Sequence, residues 1–364
     1  RAKPVVTARR PAGSSRRGYV TSARGGTLRG TPLSPRQNDN KFLALRKKQI
    51  HTTVPGRGSH EINSRNTNEN NNMSAKNKEN NKAVVTYSSS YTIVPTYECF
   101  NRCLYCNFRA DPGTSPRLSL DEASATLDEL RSKFAENAPD EILILSGETH
   151  PNSLKRESWL QHIIELCLLA IEKGFLPHTN CGPLSRTEMQ RLADVNASMG
   201  LMVEQTSPRL MKTVHKWAPS KDPQLRLEQL NMAGELGVPF TTGVLLGLGE
   251  TVEERRDALQ QIGHVAGKYG HIQEVILQPF SAGDSDLWQN DSTEKFDVRD
   301  LPQVVLEARE VVPSDVAIQI PPNLVCLEDQ DGEELLLQCL EAGATDLGGI
   351  SPKDEVNPSY DFPT

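Results

Sequence analysis

Three cysteines grouped within eight positions are the side chains best suited to chemistry in this 364-residue sequence. Cys99, Cys103 and Cys106 have the spacing C-x3-C-x2-C, and Tyr105 precedes the last cysteine. The chain has seven cysteines, an odd number, and the other four are scattered singly, which argues against a disulfide framework. Clustered thiolates favour a soft metal centre. The spacing therefore predicts that this segment binds a metal or an iron–sulfur cluster.

The number of thiols separates two kinds of centre. A structural zinc requires four protein ligands, so the three cysteines would need a distant fourth such as His150 or Cys181. An iron–sulfur cluster normally takes four cysteines, so a loop that offers three leaves one iron open to a substrate. The spacing favours the open cluster. A zinc-stabilised scaffold that binds a partner through its basic arm is the non-enzymatic alternative.

The elements that must position these cysteines are short apolar runs alternating with helical periodicity. The runs predict strands over 92–95, 142–145, 176–179, 201–204, 242–246, 275–278, 317–320 and 345–347. The periodic stretches predict helices over 120–136, 158–173, 186–195, 223–236, 252–266, 301–311 and 332–340. Seven or eight βα units at nearly uniform spacing indicate an α/β fold of the (β/α) TIM-barrel type. Chemistry in such a barrel lies at the carboxyl ends of the strands, and the cysteines follow the first one.

The cysteine segment resembles the signature of the radical S-adenosylmethionine (SAM) enzymes, in which an aromatic residue, here Tyr105, precedes the last cysteine. The resemblance implies a 4Fe-4S cluster on Cys99, Cys103 and Cys106, whose open iron chelates the amino and carboxylate groups of SAM. It also implies an external electron donor, because reduction is what cleaves SAM to methionine and a 5′-deoxyadenosyl radical.

Two further segments match parts of the same family pattern. Ser146-Gly147-Glu148-Thr149 resembles a motif in which Gly147 lets the backbone approach SAM, and Glu148 or the adjoining carbonyls accept from the methionyl ammonium. An ordinary turn is the alternative. The run from Gly243 to Glu250 resembles the GxIxGxxE motif, which implies that Gly243 and Gly247 allow backbone contact with adenine. Glu250 is expected to fix the following turn.

Glu204 ends the predicted 201–204 strand, where its carboxylate could accept from the ribose hydroxyls or the ammonium of SAM. A salt bridge to the nearby Arg209 is the alternative. Polar residues at other strand ends are candidates for the substrate pocket: Thr179, Asn180, Gln205, Thr206, Gln278 and Asn323. No catalytic residue is assigned, although His150 and His178 are candidate proton carriers. Cys167, Cys181 and Cys339 are expected to be buried in the core.

The resemblance is closest to the CofG-type enzymes of deazaflavin biosynthesis. It extends from about Tyr87 to Pro358 and is carried by the segments 91–109, 346–352 and 354–358. It implies radical closure of the deazaflavin ring from an adduct of tyrosine and a ribityl-diaminouracil, with loss of ammonia. A CofH-type radical SAM enzyme would supply that adduct. Another radical SAM barrel enzyme, of the biotin-synthase or hydrogenase-maturase kind, is the alternative, although no second cysteine group is present for a sulfur-inserting cluster.

The charge is divided unequally along the chain. Residues 1–72 contain 15 Lys and Arg against 3 Asp and Glu and so carry +12, and the other 292 residues carry −19, which gives the overall −7. The basic stretch and the Asn-rich stretch after it predict a disordered leader over 1–82, and 83–364 would form the barrel. In the leader, aromatic residues do not alternate with the basic ones, so nucleic acid is not expected as a partner. The leader also lacks the periodicity of an amphipathic helix and an apolar run long enough to span a bilayer, so a membrane is not expected either.

The leader also determines the expected location. Its composition fits a transit peptide, which would direct the protein to a plastid or another organelle. If the leader is a spurious extension, the protein would be cytoplasmic. The chain stops at Thr364, soon after the 346–358 motif, where a complete barrel would add a covering helix. A truncated C-terminus is therefore expected.

Overall fold

Eight parallel strands close into a barrel in the computed structural model, which describes residues 57–61, 84–134, 138–281, 296–325, 332–351 and 354–357. The strands are β1 (Arg57–Glu61), β2 (Val84–Ile93), β3 (Glu141–Leu145), β4 (Leu176–Asn180), β5 (Ser198–Gly200), β6 (Phe240–Leu246), β7 (Ile272–Pro279), β8 (Ala317–Gln319) and β9 (Asp346–Ile350). Strands β2 to β9 pair in chain order, and β2 also pairs with β9, which closes the barrel. The predicted TIM-type fold is confirmed.

A helix follows most strands and covers the outside of the barrel. The helices are α1 (Leu120–Phe134), α2 (Arg156–Glu172), α3 (Arg186–Ala193), α4 (Pro223–Leu236), α5 (Val252–Tyr269), α6 (Leu301–Val311), α7 (Pro322–Val325) and α8 (Gly332–Glu341). Capping boxes at Ser185 and Thr251 fix the starts of α3 and α5. Left-handed glycines, Gly237 and Gly270, end α4 and α5. None of the described helices is long and apolar enough to cross a bilayer.

The apolar core lies between the strands and the helices. On β3, Ile142 and Ile144 are completely buried in this layer, whereas Glu141, Leu143 and Leu145 alternate with them and face the barrel interior. The core layer also contains Cys167, Cys181 and Cys339, as the sequence predicts. The interior is different, because many of its side chains are polar or small. Branched apolar residues usually fill the inside of a TIM barrel.

Two predicted strands were misplaced for related reasons. The first strand begins at Val84 rather than at Thr92, because the run Ser88-Ser89-Ser90 looks like a loop when the barrel interior is assumed to be apolar. The fourth parallel strand is Ser198–Gly200, and 201–204 is a loop after it. Leu201 and Val203 are buried, and the segment still bonds to β6 through the Leu201 and Glu204 amides, so it has the apolar pattern of a strand without regular pairing.

Part of the predicted leader is an element of the fold. β1 lies within 1–82 and pairs antiparallel with the first half of β2, from Arg57 opposite Ser88 to Glu61 opposite Val84. This pairing occupies residues of β2 that precede its pairing with β3, which begins at Ser90. The rest of 1–82 lies outside the described residues, as do Cys326, Pro352 and Pro358.

Candidate active site

The cysteine segment follows β2 and is tied to several other loops. The Cys99 amide donates to the Ala110 carbonyl at 3.0 Å, and the Phe100 amide donates to the Glu148 carbonyl at 3.0 Å. The Arg102 amide donates to the carbonyl of Trp217 at 2.8 Å. These bonds connect the segment to the loops after β3 and β5, so its conformation depends on the barrel and not on local sequence alone.

The three thiols line one cavity of about 470 Å³ that occupies the barrel interior. Cys103 is buried, and Cys99 and Cys106 are half-buried. Burial raises the pKa of the Cys103 thiol to about 12 and also raises the pKa of Cys99, so binding of a metal must displace protons.

Among the described residues, no group of three or more His, Cys, Asp or Glu converges on one point as a single metal ion requires. His150 instead packs edge-on against Phe100, with ring centroids 5.0 Å apart, and Cys181 lies in the core.

The backbone at Gly147 lies very close to the cysteine segment. A Cβ atom at this position would overlap the carbonyl oxygen of Glu98, so only glycine fits. The Gly147 amide donates to the Thr96 carbonyl at 2.8 Å, and the Gly147 carbonyl accepts from the Trp159 indole at 3.2 Å. In this structure the close approach at Gly147 is made to the loop after β2, and an approach to SAM stays a prediction.

The Glu148 carboxylate is held by a buried polar network. Its Oε2 atom accepts from Asn101 at 2.9 Å and from the Ser220 hydroxyl at 2.5 Å, and Arg226 donates to Oε1 at 3.4 Å. Arg226 is 2% exposed and also donates to the carbonyl oxygens of Ser220 and Met202. Because Asn101 lies between two of the cysteines, this network links the cysteine segment to α4.

Glu204 lies in a strained position beside this network. It has a φ of 68°, which is rare for a residue with a side chain, and it forms an isolated bridge with Val244. Its carboxylate is paired with Lys221, and the charges of Lys221 and Arg226 hold its pKa low despite burial. The predicted alternative, a salt bridge to Arg209, is wrong because Arg209 pairs with Glu254 at 2.6 Å.

Tyr105 is held by a histidine that the sequence analysis did not single out. His215 Nε2 lies 3.1 Å from the Tyr105 hydroxyl, and His215 Nδ1 lies 3.2 Å from the Gln205 amide nitrogen. Burial lowers the pKa of His215 to about 3, so the ring is neutral at physiological pH. The Tyr105 ring also contacts Phe280 edge-on at 6.4 Å. His215 comes from the loop after β5, and no motif marks it.

The glycines of the Gly243–Glu250 segment have structural explanations. A Cβ atom at Gly243 would overlap the backbone oxygen of Ile276 on the adjacent strand. Gly247 has a φ of 95°. The Glu250 carboxylate accepts from the amides of Gly247 and Leu248, both at 2.8 Å, which confirms that it fixes the turn. Contact of Gly243 or Gly247 with adenine stays a prediction.

The predicted pocket residues divide into two groups. Asn180, Gln278, Asn323 and His178 line the cavity. Thr179 faces the helices and donates to Asn196, Gln205 contacts His215, and Thr206 donates to Asp257, so these three belong to the supporting structure.

The C-terminal motif joins several loops at the mouth of the cavity. Asn323 donates to the Asp354 carboxylate at 2.9 Å, and Tyr97 donates to Glu355 at 2.8 Å. Ser281 donates to the side-chain oxygen of Asn357 at 2.6 Å. Burial, together with Glu355, raises the pKa of Tyr97 to about 12, so it remains a donor. The loops after β2, β7 and β8 are thereby connected through one segment, whose function as a brace was not predicted.

Comparisons with known proteins show what this chain is similar to. Residues 93–262 match the model of the radical SAM superfamily. A 7,8-didemethyl-8-hydroxy-5-deazariboflavin synthase of Trichodesmium erythraeum is 57% identical over 280 residues, which cover 77% of this chain and 84% of that protein. The synthase of the same name from Synechocystis sp. is 53% identical over 276 residues, or 76% and 84% of the two chains.

Solved structures resemble the fold at much lower identity. The FeFe-hydrogenase maturase HydG from Carboxydothermus hydrogenoformans has a TM-score of 0.59 at 19% identity, with 76% of this chain and 62% of that chain covered. Methylornithine synthase has a TM-score of 0.55 at 15% identity, with 89% and 80% covered. At these identities the likeness shows the fold alone.

Proposed function

The chain belongs to the radical SAM superfamily and, within it, to the 7,8-didemethyl-8-hydroxy-5-deazariboflavin synthases, and we propose that it closes the ring of this deazaflavin. The observation that carries the proposal is the 57% identity over 280 residues with a synthase of that name. The hydrogenase-maturase alternative has only a likeness of fold at 19% identity in its favour.

Superfamily membership implies a 4Fe-4S cluster and SAM, and the residues present fit both. Cys99, Cys103 and Cys106 line the cavity and would supply three thiolate ligands. When bound, the cluster supplies the electron that cleaves SAM into methionine and a 5′-deoxyadenosyl radical. The protein must therefore receive electrons from an external donor.

SAM would occupy the part of the cavity beside the cysteines. Lys221 and Arg226 provide positive charge there for the SAM carboxylate, and Glu204 and Glu148 provide acceptors for its ammonium or its ribose hydroxyls. Tyr105 would contact the nucleoside from the cysteine segment, with its hydroxyl held by His215. Gly243 and Gly247 would allow the backbone of the β6 end to approach adenine.

The substrate would be the adduct of tyrosine and a ribityl-diaminouracil, 5-amino-5-(4-hydroxybenzyl)-6-(D-ribitylimino)-5,6-dihydrouracil. Conversion to the deazaflavin would release ammonia, methionine and 5′-deoxyadenosine, which makes the enzyme an ammonia-releasing lyase. A CofH-type radical SAM enzyme would supply the adduct. Asn180 and Gln278, which line the cavity, would hold the uracil edge by hydrogen bonds.

Anaerobic reconstitution tests the proposal. The full chain is loaded with iron and sulfide, reduced, and mixed with SAM and the adduct. We expect a brown protein that releases 5′-deoxyadenosine and forms a fluorescent deazaflavin. Intact SAM in the presence of a well-formed cluster would refute radical chemistry. Cleavage of SAM without formation of deazaflavin would refute the assigned substrate and leave the radical chemistry standing.

The basic residues that precede β1, within 1–56, bear on location rather than on this reaction. We propose that they act as a targeting segment of the transit-peptide kind, since their composition is rich in Arg and Ser and poor in acid. A fluorescent protein fused after residue 82 should then enter an organelle. Uniform cytoplasmic fluorescence would contradict this.

A further inference from the structure

The barrel cavity has a second polar end, which the proposed cluster and SAM do not use. This end lies in the amino-terminal half of the barrel and is lined by Ser88, Glu141, His178, Ser198, Glu274 and Gln319. These residues come from six of the eight barrel strands. A TIM-barrel interior is normally packed with branched apolar side chains, so an open interior with polar walls indicates a ligand. We call this part of the cavity the deep end.

The side chains at the deep end form short hydrogen bonds with one another. The Ser88 hydroxyl donates to Glu141 Oε2 at 2.5 Å, and His178 Nδ1 lies 2.7 Å from the Ser198 hydroxyl. His178 Nδ1 also lies 3.8 Å from Glu141 Oε1. These contacts orient the groups, while the second oxygen of the carboxylate and the other ring nitrogen provide further hydrogen-bonding capacity.

A glycine leaves space at the deep end, and the wall contains a buried hydroxyl group. Gly200 faces His178, and a Cβ atom at Gly200 would lie 2.8 Å from His178 Nε2, so any larger residue would crowd the cavity. Ser90 lies between the cavity-lining residues Ser88 and Thr92 on the same face of β2 and is 1% exposed. The Ser90 hydroxyl has no hydrogen-bond partner among the described residues. Buried hydroxyls without a partner are rare in native proteins.

The basic side chains of the described cavity lining are confined to its cysteine end, where the carboxylates of Glu148 and Glu204 accompany them. Among the described lining residues, the Lys and Arg side chains are Arg109, Lys221 and Arg226, and all three come from the loop end beside the cysteines. The deep end has the carboxylates of Glu141 and Glu274, and burial lowers the pKa of His178, which keeps its ring neutral. Such walls repel phosphate and fit a neutral ligand with many hydroxyl groups.

We propose that the deep end binds the ribityl chain of the substrate, with Glu141 as its principal hydrogen-bond acceptor. The inference rests on the proposed function, whose deazariboflavin product carries this polyol. Each ribityl hydroxyl can donate to a carboxylate and accept from a serine or an amide. Glu141 and Leu145 stand at opposite ends of β3, about 13 Å apart along the strand. A ligand can therefore hold its polyol at Glu141 while its ring system lies near the cysteine end.

The test compares two substrates on each enzyme variant. One is the complete adduct, and the other has a methyl group in place of the ribityl chain. We expect wild type to prefer the complete adduct in kcat/KM, and Glu141→Gln to reduce that preference about tenfold to a hundredfold, the value of a hydrogen bond to a charged group. Because both substrates are measured on the same preparation, the ratio does not depend on the fraction of folded or cluster-loaded enzyme.

Control variants keep the result interpretable. Glu157→Gln removes an exposed carboxylate on α2 that pairs with Arg191, and it should leave the preference unchanged. Ser198→Ala, a smaller change at the deep end, should reduce the preference in the same direction as Glu141→Gln. Equal losses on both substrates in Glu141→Gln and Ser198→Ala would overturn the inference. If wild type cleaves SAM and makes deazaflavin from neither substrate, the proposed function itself fails.

Discussion

The cysteine end and the deep end of the barrel cavity are built in opposite ways. The cysteine end consists of loops, and its chemistry is concentrated in one continuous segment, Cys99 to Cys106, which Asn101 joins to the network of Glu148 and Arg226. The deep end consists of strands, each of which contributes about one polar side chain to the lining. The cysteine end can therefore be recognised in the sequence from its motif. Such a segment suits a reaction that a whole superfamily shares. The deep end, which has no motif, is where a single substrate can be selected.

The largest effect is expected when a cluster ligand is removed from the cysteine end and the deep end is left unchanged. Cys103→Ala should abolish iron binding and reduce 5′-deoxyadenosine to background on any substrate, because two thiolates cannot hold the open cluster. Iron content and product analysis after reconstitution measure both losses. Cys339→Ala, in the core on α8, should keep its iron and cost only about 1 kcal/mol of unfolding free energy. Normal SAM cleavage by Cys103→Ala would contradict the assignment.

Removing a positive charge at the cysteine end should have the next largest effect, a loss of kcat/KM for SAM. Lys221→Met should lower kcat/KM for SAM about tenfold to a hundredfold, the value of hydrogen bonds to charged groups. The preference for the ribityl over the methyl substrate should stay as in wild type, since Lys221 lies at the other end. Lys221→Arg, which retains the charge, should recover part of the loss. A changed substrate preference in Lys221→Met would show that the two ends are not independent.

An added methyl group should be tolerated differently at the two ends. Gly147→Ala would drive Cβ into the backbone oxygen of Glu98, which cannot rotate away, at a cost of about 1–3 kcal/mol of unfolding free energy. Gly200→Ala meets only the far edge of the His178 ring, a side chain that can shift. Urea unfolding midpoints of the two variants compare the costs. A larger loss in Gly200→Ala than in Gly147→Ala would contradict this account.

The smallest effect concerns pH. Burial lowers the pKa of His215 to about 3 in the folded protein, so below the ordinary histidine pKa of 6.5 the unfolded chain binds a proton that the folded chain does not. The stability contributed by neutral His215 is complete above pH 6.5 and falls by about 1.4 kcal/mol per pH unit as the pH drops toward 3. His215→Gln should therefore lose less stability than wild type between about pH 7.5 and about pH 5.5 in urea unfolding. Equal losses would contradict a neutral His215.

The sequence predicted the outside of the barrel better than its inside. Helices 223–236 and 301–311 were predicted with the bounds that the structure has, because their apolar faces pack on the core. The start of β2 was missed because Ser88 and Ser90 face a polar interior, and strand prediction assumes apolar inward faces. The cysteine loop was recognised from its spacing. His215, Lys221 and Arg226 were not, since only the fold brings them beside residues more than 100 positions earlier.

The most direct test of the two-ended cavity is a crystal structure of the reconstituted protein with SAM and the adduct bound. This account predicts that the ribityl chain lies at the deep end within hydrogen-bond distance of Glu141, while the methionine part of SAM lies at the cysteine end beside Lys221. A ribityl chain that points toward the cysteines or out of the barrel mouth, with Glu141 bonded only to protein, would contradict it.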